Sequence, residues 1–127
     1  MNLKKLLKET KNIAIVGASS NPERDSFKVM KFLMNYGYGI FPVNPKEKNI
    51  LGIRCYANLK EIEERIDMVD IFRAKEFVMD ITLDAIKVGV DVIWTQEGIV
   101  DQKSSHLAES KGIIFIMNEC PKKILEN

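Results

Sequence analysis

Three short runs of this chain, residues 13–16, 68–72 and 113–117, are apolar almost throughout, and helical patterns fall between them. Successive residues of a strand face opposite sides of a sheet, so a half-exposed strand alternates apolar and polar side chains. A strand apolar on both faces has to be covered twice, as in a parallel sheet held between two helical layers. The order of patterns agrees with that. Residues 1–9 read as a short amphipathic helix, 13–16 as a strand, and 26–36 as a helix that Gly37 can end. Then come strand 38–43, an irregular or strand-like piece at 50–56, a short helix at 59–65 and strand 68–72. Helix 75–88 gathers Phe77, Val78, Ile81, Ala85 and Ile86 on one side, and Gly89 stops it. Strand 90–94, helix 102–111 with Asp101 as N-cap, and strand 113–117 complete the alternation. The expectation is one α/β domain spanning 1–127, with five strands in a mainly parallel, doubly wound sheet. Pro42 sits awkwardly in it, because it removes a ladder donor; the end of a strand is where that costs least.

The first strand runs into a distinctive turn. Asn12-Ile13-Ala14-Ile15-Val16 is followed by Gly17-Ala18-Ser19-Ser20-Asn21-Pro22-Glu23-Arg24-Asp25-Ser26. A strand that delivers the chain to a helix N-terminus leaves backbone N–H groups unpaired at the positive end of the helix dipole, a seat for a phosphate. Gly17 permits close approach, Ala18 and Ser19 add little bulk, and the Ser19 and Ser20 hydroxyls add donors. Arg24 stands where a guanidinium can close over an anion.

Bulk properties narrow the field. A hydrophobic share of 46% and a charged share of 29% are those of an ordinary globular chain. The formal net charge of +1 provides no field to recruit nucleic acid or an anionic membrane, so an anionic ligand needs a local cluster. No run is long enough to span a bilayer, and the N-terminus is too charged for a signal peptide, so a cytoplasmic location is expected. Cys55 and Cys120 lie far apart and form no ligand spacing with His106, the one histidine; free thiols and no metal site are expected. His106 lies on a polar helix face with no acid or nucleophile beside it, and reads as a surface residue.

Ligands of a doubly wound sheet bind outside the carboxyl ends of its strands. That rule nominates Gly17-Ala18-Ser19, Asn44-Pro45-Lys46, Arg73 and Thr95-Gln96-Glu97-Gly98. A Gly-Lys-Ser/Thr phosphate loop is absent, and so is the G-x-G-x-x-G fingerprint, because Ser19 and Pro22 stand where glycines belong. After the second strand, where an NAD site carries an acid, this chain has Val43-Asn44-Pro45-Lys46. A cation there suits a ribose with an extra phosphate, as in coenzyme A or NADP; spacing alone does not separate the two.

The string from Ile15 to Ser26 resembles the opening of the small CoA-binding-domain proteins, relatives of the N-terminal domain of the succinyl-CoA synthetase α-subunit. The likeness continues through Gly37-Tyr38, Pro42-Val43-Asn44-Pro45, Asp70-Ile71-Phe72-Arg73, Trp94-Thr95-Gln96-Glu97-Gly98 and Cys120-Pro121, in order. It implies a Rossmann-like three-layer sandwich that binds CoA or an acyl-CoA. By that resemblance Gly17, Ala18, Ser19 and Arg24 hold the pyrophosphate. Val43, Asn44, Pro45 and Lys46 line the adenosine end, with Lys46 near the ribose phosphate. Phe72 and Arg73 flank the nucleotide, and Trp94, Gln96 and Gly98 border the pantetheine path. Two departures stand out. Where the family commonly has Phe-Arg-Arg-Pro this chain has Phe72-Arg73-Ala74-Lys75, and Glu97 replaces a residue that is usually apolar.

Three functions are compatible with these features to different degrees. A non-catalytic CoA or acyl-CoA module fits the phosphate turn, the cation after the second strand and the lack of a nucleophile–base pair. The synthetase relatives rely on a phosphorylated histidine in a further domain, and nothing around His106 matches it. An NADP-dependent oxidoreductase fits the same turn but lacks the fingerprint. An interaction subunit of a larger ligase or acyltransferase would use the apolar stripe at Leu3–Leu7 for docking. Cys120 follows the last strand, and a mixed disulfide with the CoA thiol was set against the commoner buried, inert cysteine.

Overall fold

A computed structural model describes residues 1–127. The chain runs α1 (Leu3–Glu9), β1 (Asn12–Val16), α2 (Asp25–Tyr36) and β2 (Gly39–Val43). A small hairpin of β3 (Asn49–Ile50) and β4 (Ile53–Arg54) follows, then a 3-10 turn at Leu59–Glu61 and β5 (Met68–Ile71). The remainder is α3 (Lys75–Val88), β6 (Val92–Thr95), α4 (Gln102–Ser110), β7 (Ile114–Ile116) and α5 (Pro121–Glu126). The main sheet has five strands in the order β2-β1-β5-β6-β7, and every pairing is parallel. This is the Rossmann-like α/β sandwich that the doubly apolar strands call for.

Strand alternation builds the two halves of the core. Ile13, Ile15, Met68, Val92 and Trp94 pack on one face against α1, α2 and α5. Ala14, Val16, Val69, Ile71 and Ile93 pack on the other, against α3, α4 and the 3-10 turn. On α2 the helical spacing turns Val29, Met30 and Leu33 inward, and all three are buried. Full burial of each such side chain contributes about 1.5–3 kcal/mol. Gly37 ends the helix at φ 119, with its N–H on the Leu33 and Met34 carbonyls.

The fold corrects two local expectations and fills in two places that the sequence reading left open. The helix read at 59–65 is only the 3-10 turn, because Ile62 is already extended and the chain must run on to bury Ile66 before β5. Residues 50–56 divide into the hairpin and a single parallel bridge, in which Tyr56 lies alongside Val43. Helix α5 has no counterpart in the sequence reading; it is six residues long and starts with Pro121, a residue preorganised for the first helical position. The apolar stripe at Leu3–Leu7 is not free for docking. Leu7 is fully buried, Leu3 and Leu6 pack on the same core half, and α1 lies against α5.

Pro42 is placed without loss. Its carbonyl accepts from the Tyr56 N–H at 2.9 Å, on the side of β2 away from β1. A strand residue's N and C=O point the same way, so the missing donor falls on the outer edge of the sheet.

The crossover from β2 back to β5 places the switch point between β1 and β5. There the turn after β1 presses on the end of β5. Gly17 has φ +90, and a Cβ on it would lie 2.8 Å from the Phe72 carbonyl oxygen and 3.0 Å from Arg73 Cδ. Gly37 also has a positive φ, but a Cβ there meets nothing within 4 Å. Gly37→Ala is therefore expected to cost about 1 kcal/mol, the left-handed backbone cost alone, and Gly17→Ala at least about 2 kcal/mol. Urea unfolding of both variants checks this; equal losses would show that the close approach at Gly17 is not under constraint.

Candidate functional site

The turn after β1 is wired to β2 before any ligand is considered. The N–H groups of Gly17 and Ala18 both donate to the Val43 carbonyl, at 3.0 and 3.3 Å. The Asn44 side-chain Nδ2 donates to the Ala18 carbonyl at 2.8 Å, and its Oδ1 accepts from the Lys46 N–H at 2.9 Å. Further along, the Asn21 N–H donates to Ser19 Oγ, and Asn21 Oδ1 accepts from the Glu23 N–H. Three N–H groups of the turn and helix start have no partner within the chain: Ser19, Asp25 and Ser26. Gly17 and Ala18 therefore shape the seat, while Ser19 and the first turn of α2 supply its free donors. The exposed Arg24 guanidinium, at the N-cap of α2, has no acid paired with it.

One N–H of the turn is already taken by an anion. Ser20 N donates to Glu47 Oε2 at 2.7 Å, across 27 residues of sequence. A carboxylate in that position occupies a place that an acidic ligand group would suit.

Two cavities flank the turn on opposite faces of the sheet. The larger, about 570 Å³, lies on the α2 and α5 side and is bordered by Arg24, Ser26, Phe72, Gln96, Cys120 and Lys122. The smaller, about 230 Å³, lies on the α3 side between Gly17, Val43, Pro45, Leu59, Arg73 and Phe77. Phe72 borders one and Arg73 the other, as successive residues leaving a strand do. The Arg73 guanidinium stacks 4.2 Å above the Phe77 ring at the mouth of the smaller cavity.

Beneath the larger cavity a polar pair is set in the apolar sheet, with Gln96 at the cavity border and Asp70 below it. Asp70 of β5 is fully buried, in register with Ile15 on one side and Trp94 on the other. Its Oδ1 accepts from Gln96 Nε2 at 2.7 Å, and its Oδ2 has no partner. Burial raises the Asp70 carboxyl to about 7, against the smaller opposing pull of the Gln96 hydrogen bond. Past Gln96 the loop is pinned: Gly98 N donates to Asn118 Oδ1 at 2.7 Å, and Asn118 N donates to Thr95 Oγ1 at 3.3 Å. Glu97, which seemed out of place beside an anionic ligand, is neutralised at the rim by Lys123 at 2.8 Å.

The structure gathers most of the nominated residues around the switch point. Gly17, Ala18, Ser19, Val43, Asn44 and Pro45 form the turn and its support, and Arg24, Phe72, Arg73 and Gln96 border the two cavities. Gly98 shapes the loop beyond Gln96, and the Lys46 side chain stands in solvent at the end of β2. Trp94 lies apart from the others. It is fully buried, with its indole N–H on the Glu119 carbonyl at 2.9 Å, and it supports the sheet beneath the larger cavity without lining it. Glu47, Asp70 and Phe77 were not nominated. Asp70 had a legible signal, as the one charge inside an apolar strand; Glu47 had none, because its partner is distant in sequence. Cys120 is mostly buried yet borders the larger cavity, and Cys55 lies buried on the other side of Asn44, its thiol pushed up chiefly by burial. His106 is exposed on α4, away from both cavities.

Comparisons with known proteins converge on one family. Residues 11–126 match the model of the CoA binding domain. The uncharacterized protein YneT of Bacillus subtilis is 36% identical over 120 residues, covering 94% of this chain and 89% of that one. A hypothetical protein from Pyrococcus horikoshii superposes with a TM-score of 0.95 at 38% identity, over 98% of this chain and 87% of the other. The α-subunit of ADP-forming acetate–CoA ligase II from Pyrococcus furiosus is 28% identical over 91% of this chain, which spans only 26% of that subunit.

Asp70 makes a testable mark on stability. Its carboxyl titrates at about 7 when folded and near 3.9 when unfolded, as a rough reference value. Between those values the folded chain keeps a proton that the unfolded chain has lost, so this group's contribution falls as pH rises through the window and levels off above it. Urea unfolding of the native chain and Asp70→Asn at pH 5 and pH 8 isolates that slope. The variant is expected to gain stability relative to the native chain at the higher pH; a constant difference would contradict the assignment.

Proposed function

This chain belongs to the CoA binding domain family, and we propose that it is a non-catalytic module that binds coenzyme A or an acyl-CoA across the carboxyl edge of its sheet. The observation that carries this reading is the pair of cavities on opposite faces of the sheet, with the turn after β1 and its unpartnered N–H groups between them at the switch point. Coenzyme A has the matching plan: a nucleotide, a charged pyrophosphate in the middle, and a long thiol-ended arm.

In this arrangement the nucleotide occupies the smaller cavity, against Val43, Pro45 and Leu59 and beside the Arg73–Phe77 stack. Lys46, on the exposed loop after β2, meets the ribose phosphate. The pyrophosphate crosses over Gly17, where a side chain would collide with the β5 end, and takes the free N–H groups of Ser19, Asp25 and Ser26. Arg24 closes over it with a charge-assisted contact. The pantetheine arm descends the larger cavity past Phe72 and Gln96, with its thiol directed to the Cys120 end. The partial match to the acetate–CoA ligase subunit supports this, since the module corresponds to a minor portion of a protein whose name includes CoA.

Isothermal titration with CoA, dephospho-CoA, ADP and NADP tests the reading. CoA is expected to bind, and dephospho-CoA at least about tenfold more weakly, as for loss of one charge-assisted phosphate contact. Arg24→Ala should weaken CoA and ADP alike by about tenfold. Glu47→Ala should act in the opposite direction and tighten both by a few-fold, because it frees the Ser20 N–H and removes a negative charge. Absence of CoA binding, or tighter binding of NADP, would overturn the proposal.

A further inference from the structure

We propose that Asp70 is a positioning residue: acting through Gln96, it fixes which end of a side-chain amide faces the larger cavity, and so selects a ligand that presents an N–H donor there. The inference rests on the CoA reading, and within that reading the donor is an amide N–H of the pantetheine arm.

A carboxamide has an acceptor end and a donor end of nearly equal size, so packing alone does not choose between them. Asp70 chooses. Its Oδ1 accepts from Gln96 Nε2 at 2.7 Å, and that contact is buried. Gln96 borders the cavity, its Oε1 has no donor within the chain, and Oε1 is not among the side-chain atoms sealed from solvent without a partner. The acceptor end of Gln96 therefore remains open on the cavity side. Ionised, Asp70 can only accept, so Gln96 Nε2 must face it; a proton held on Oδ2 leaves that contact in place.

The surroundings show that the carboxyl is not there for packing. Asp70 is fully buried in the central strand between Ile15 and Trp94, where an apolar side chain would satisfy the sheet and leave no orphaned oxygen. Gln96 is held from the other side as well, its backbone N–H donating to the Ile71 carbonyl. Asp70 sits below the cavity without bordering it, so its effect on a ligand passes through Gln96.

The test compares CoA with adenosine 3′,5′-bisphosphate, its nucleotide part with one of the two pyrophosphate phosphates and no pantetheine arm, on the full chain. Asp70→Leu removes the acceptor and frees the Gln96 amide; CoA affinity should fall roughly five- to tenfold while the bisphosphate is unaffected. In a Gln96→Leu background Asp70→Leu should cause no further loss. Equal losses for both ligands, or a further loss in that background, would overturn the inference. No CoA binding by the native chain would overturn the parent reading with it, whereas CoA binding that Asp70→Leu leaves unchanged would overturn this inference alone. Should Asp70→Leu fail to fold, the side-chain amide resonances of Gln96 in the native chain decide. Slow exchange with solvent supports the buried Asp70 contact, and rapid exchange overturns it.

Discussion

The parallel pairing of β1 with β5 brings the turn that follows β1 onto the carboxyl end of β5, and the rest of the site is organised around that contact. Because Gly17 has no side chain, the turn lies against the Phe72 carbonyl with no room to spare. That closeness sets the turn against the end of β5, where strand alternation sends Phe72 and Arg73 to the two faces of the sheet. Val43 at the end of β2 fixes the same turn from the opposite side through two N–H contacts. The two cavities are thus consequences of how three strand ends meet, and the seat between them inherits its geometry from backbone, which costs little to preorganise.

The electrostatics of the seat are balanced. Arg24 and the free N–H groups attract an anion, while Glu47 already sits on the neighbouring Ser20 N–H and Glu97 is paired with Lys123 at the far rim. With a formal net charge of only +1, the chain has no long-range field to hold a polyanion, so the binding we propose rests on contacts made at the turn. Asp70 adds a buried polar group whose cost to stability the sheet carries for the sake of one oriented amide.

Much of the fold was legible because the doubly apolar strands at 13–16 and 68–72 leave few alternatives to a covered parallel sheet, and the Gly17–Ser26 string marks the switch point. What escaped detection did so for physical reasons. Helix α5 is a turn and a half, too short for a periodic signal, and it hides the stripe on α1 that looked free. The contact between Ser20 and Glu47 joins two loops far apart in sequence. Trp94 stands near a strand end next to the site in sequence and on the same face as Gln96, but one step deeper in the sheet, in the core half that holds Met68 and Leu125. Lys46 lies on the loop after β2, as the pattern placed it, with its side chain in solvent.

The central claim is that one extended ligand crosses the sheet edge from the smaller cavity to the larger. Backbone amide shift mapping of the labelled chain, titrated in parallel with CoA and with adenosine 3′,5′-bisphosphate, tests it most directly. The account predicts that both ligands move residues 17–26, 43–47 and 72–73, and that only CoA also moves 96–99 and 120–123. Identical footprints for the two ligands, or shifts gathered at the amino ends of the strands around Lys11 and Tyr38, would contradict it.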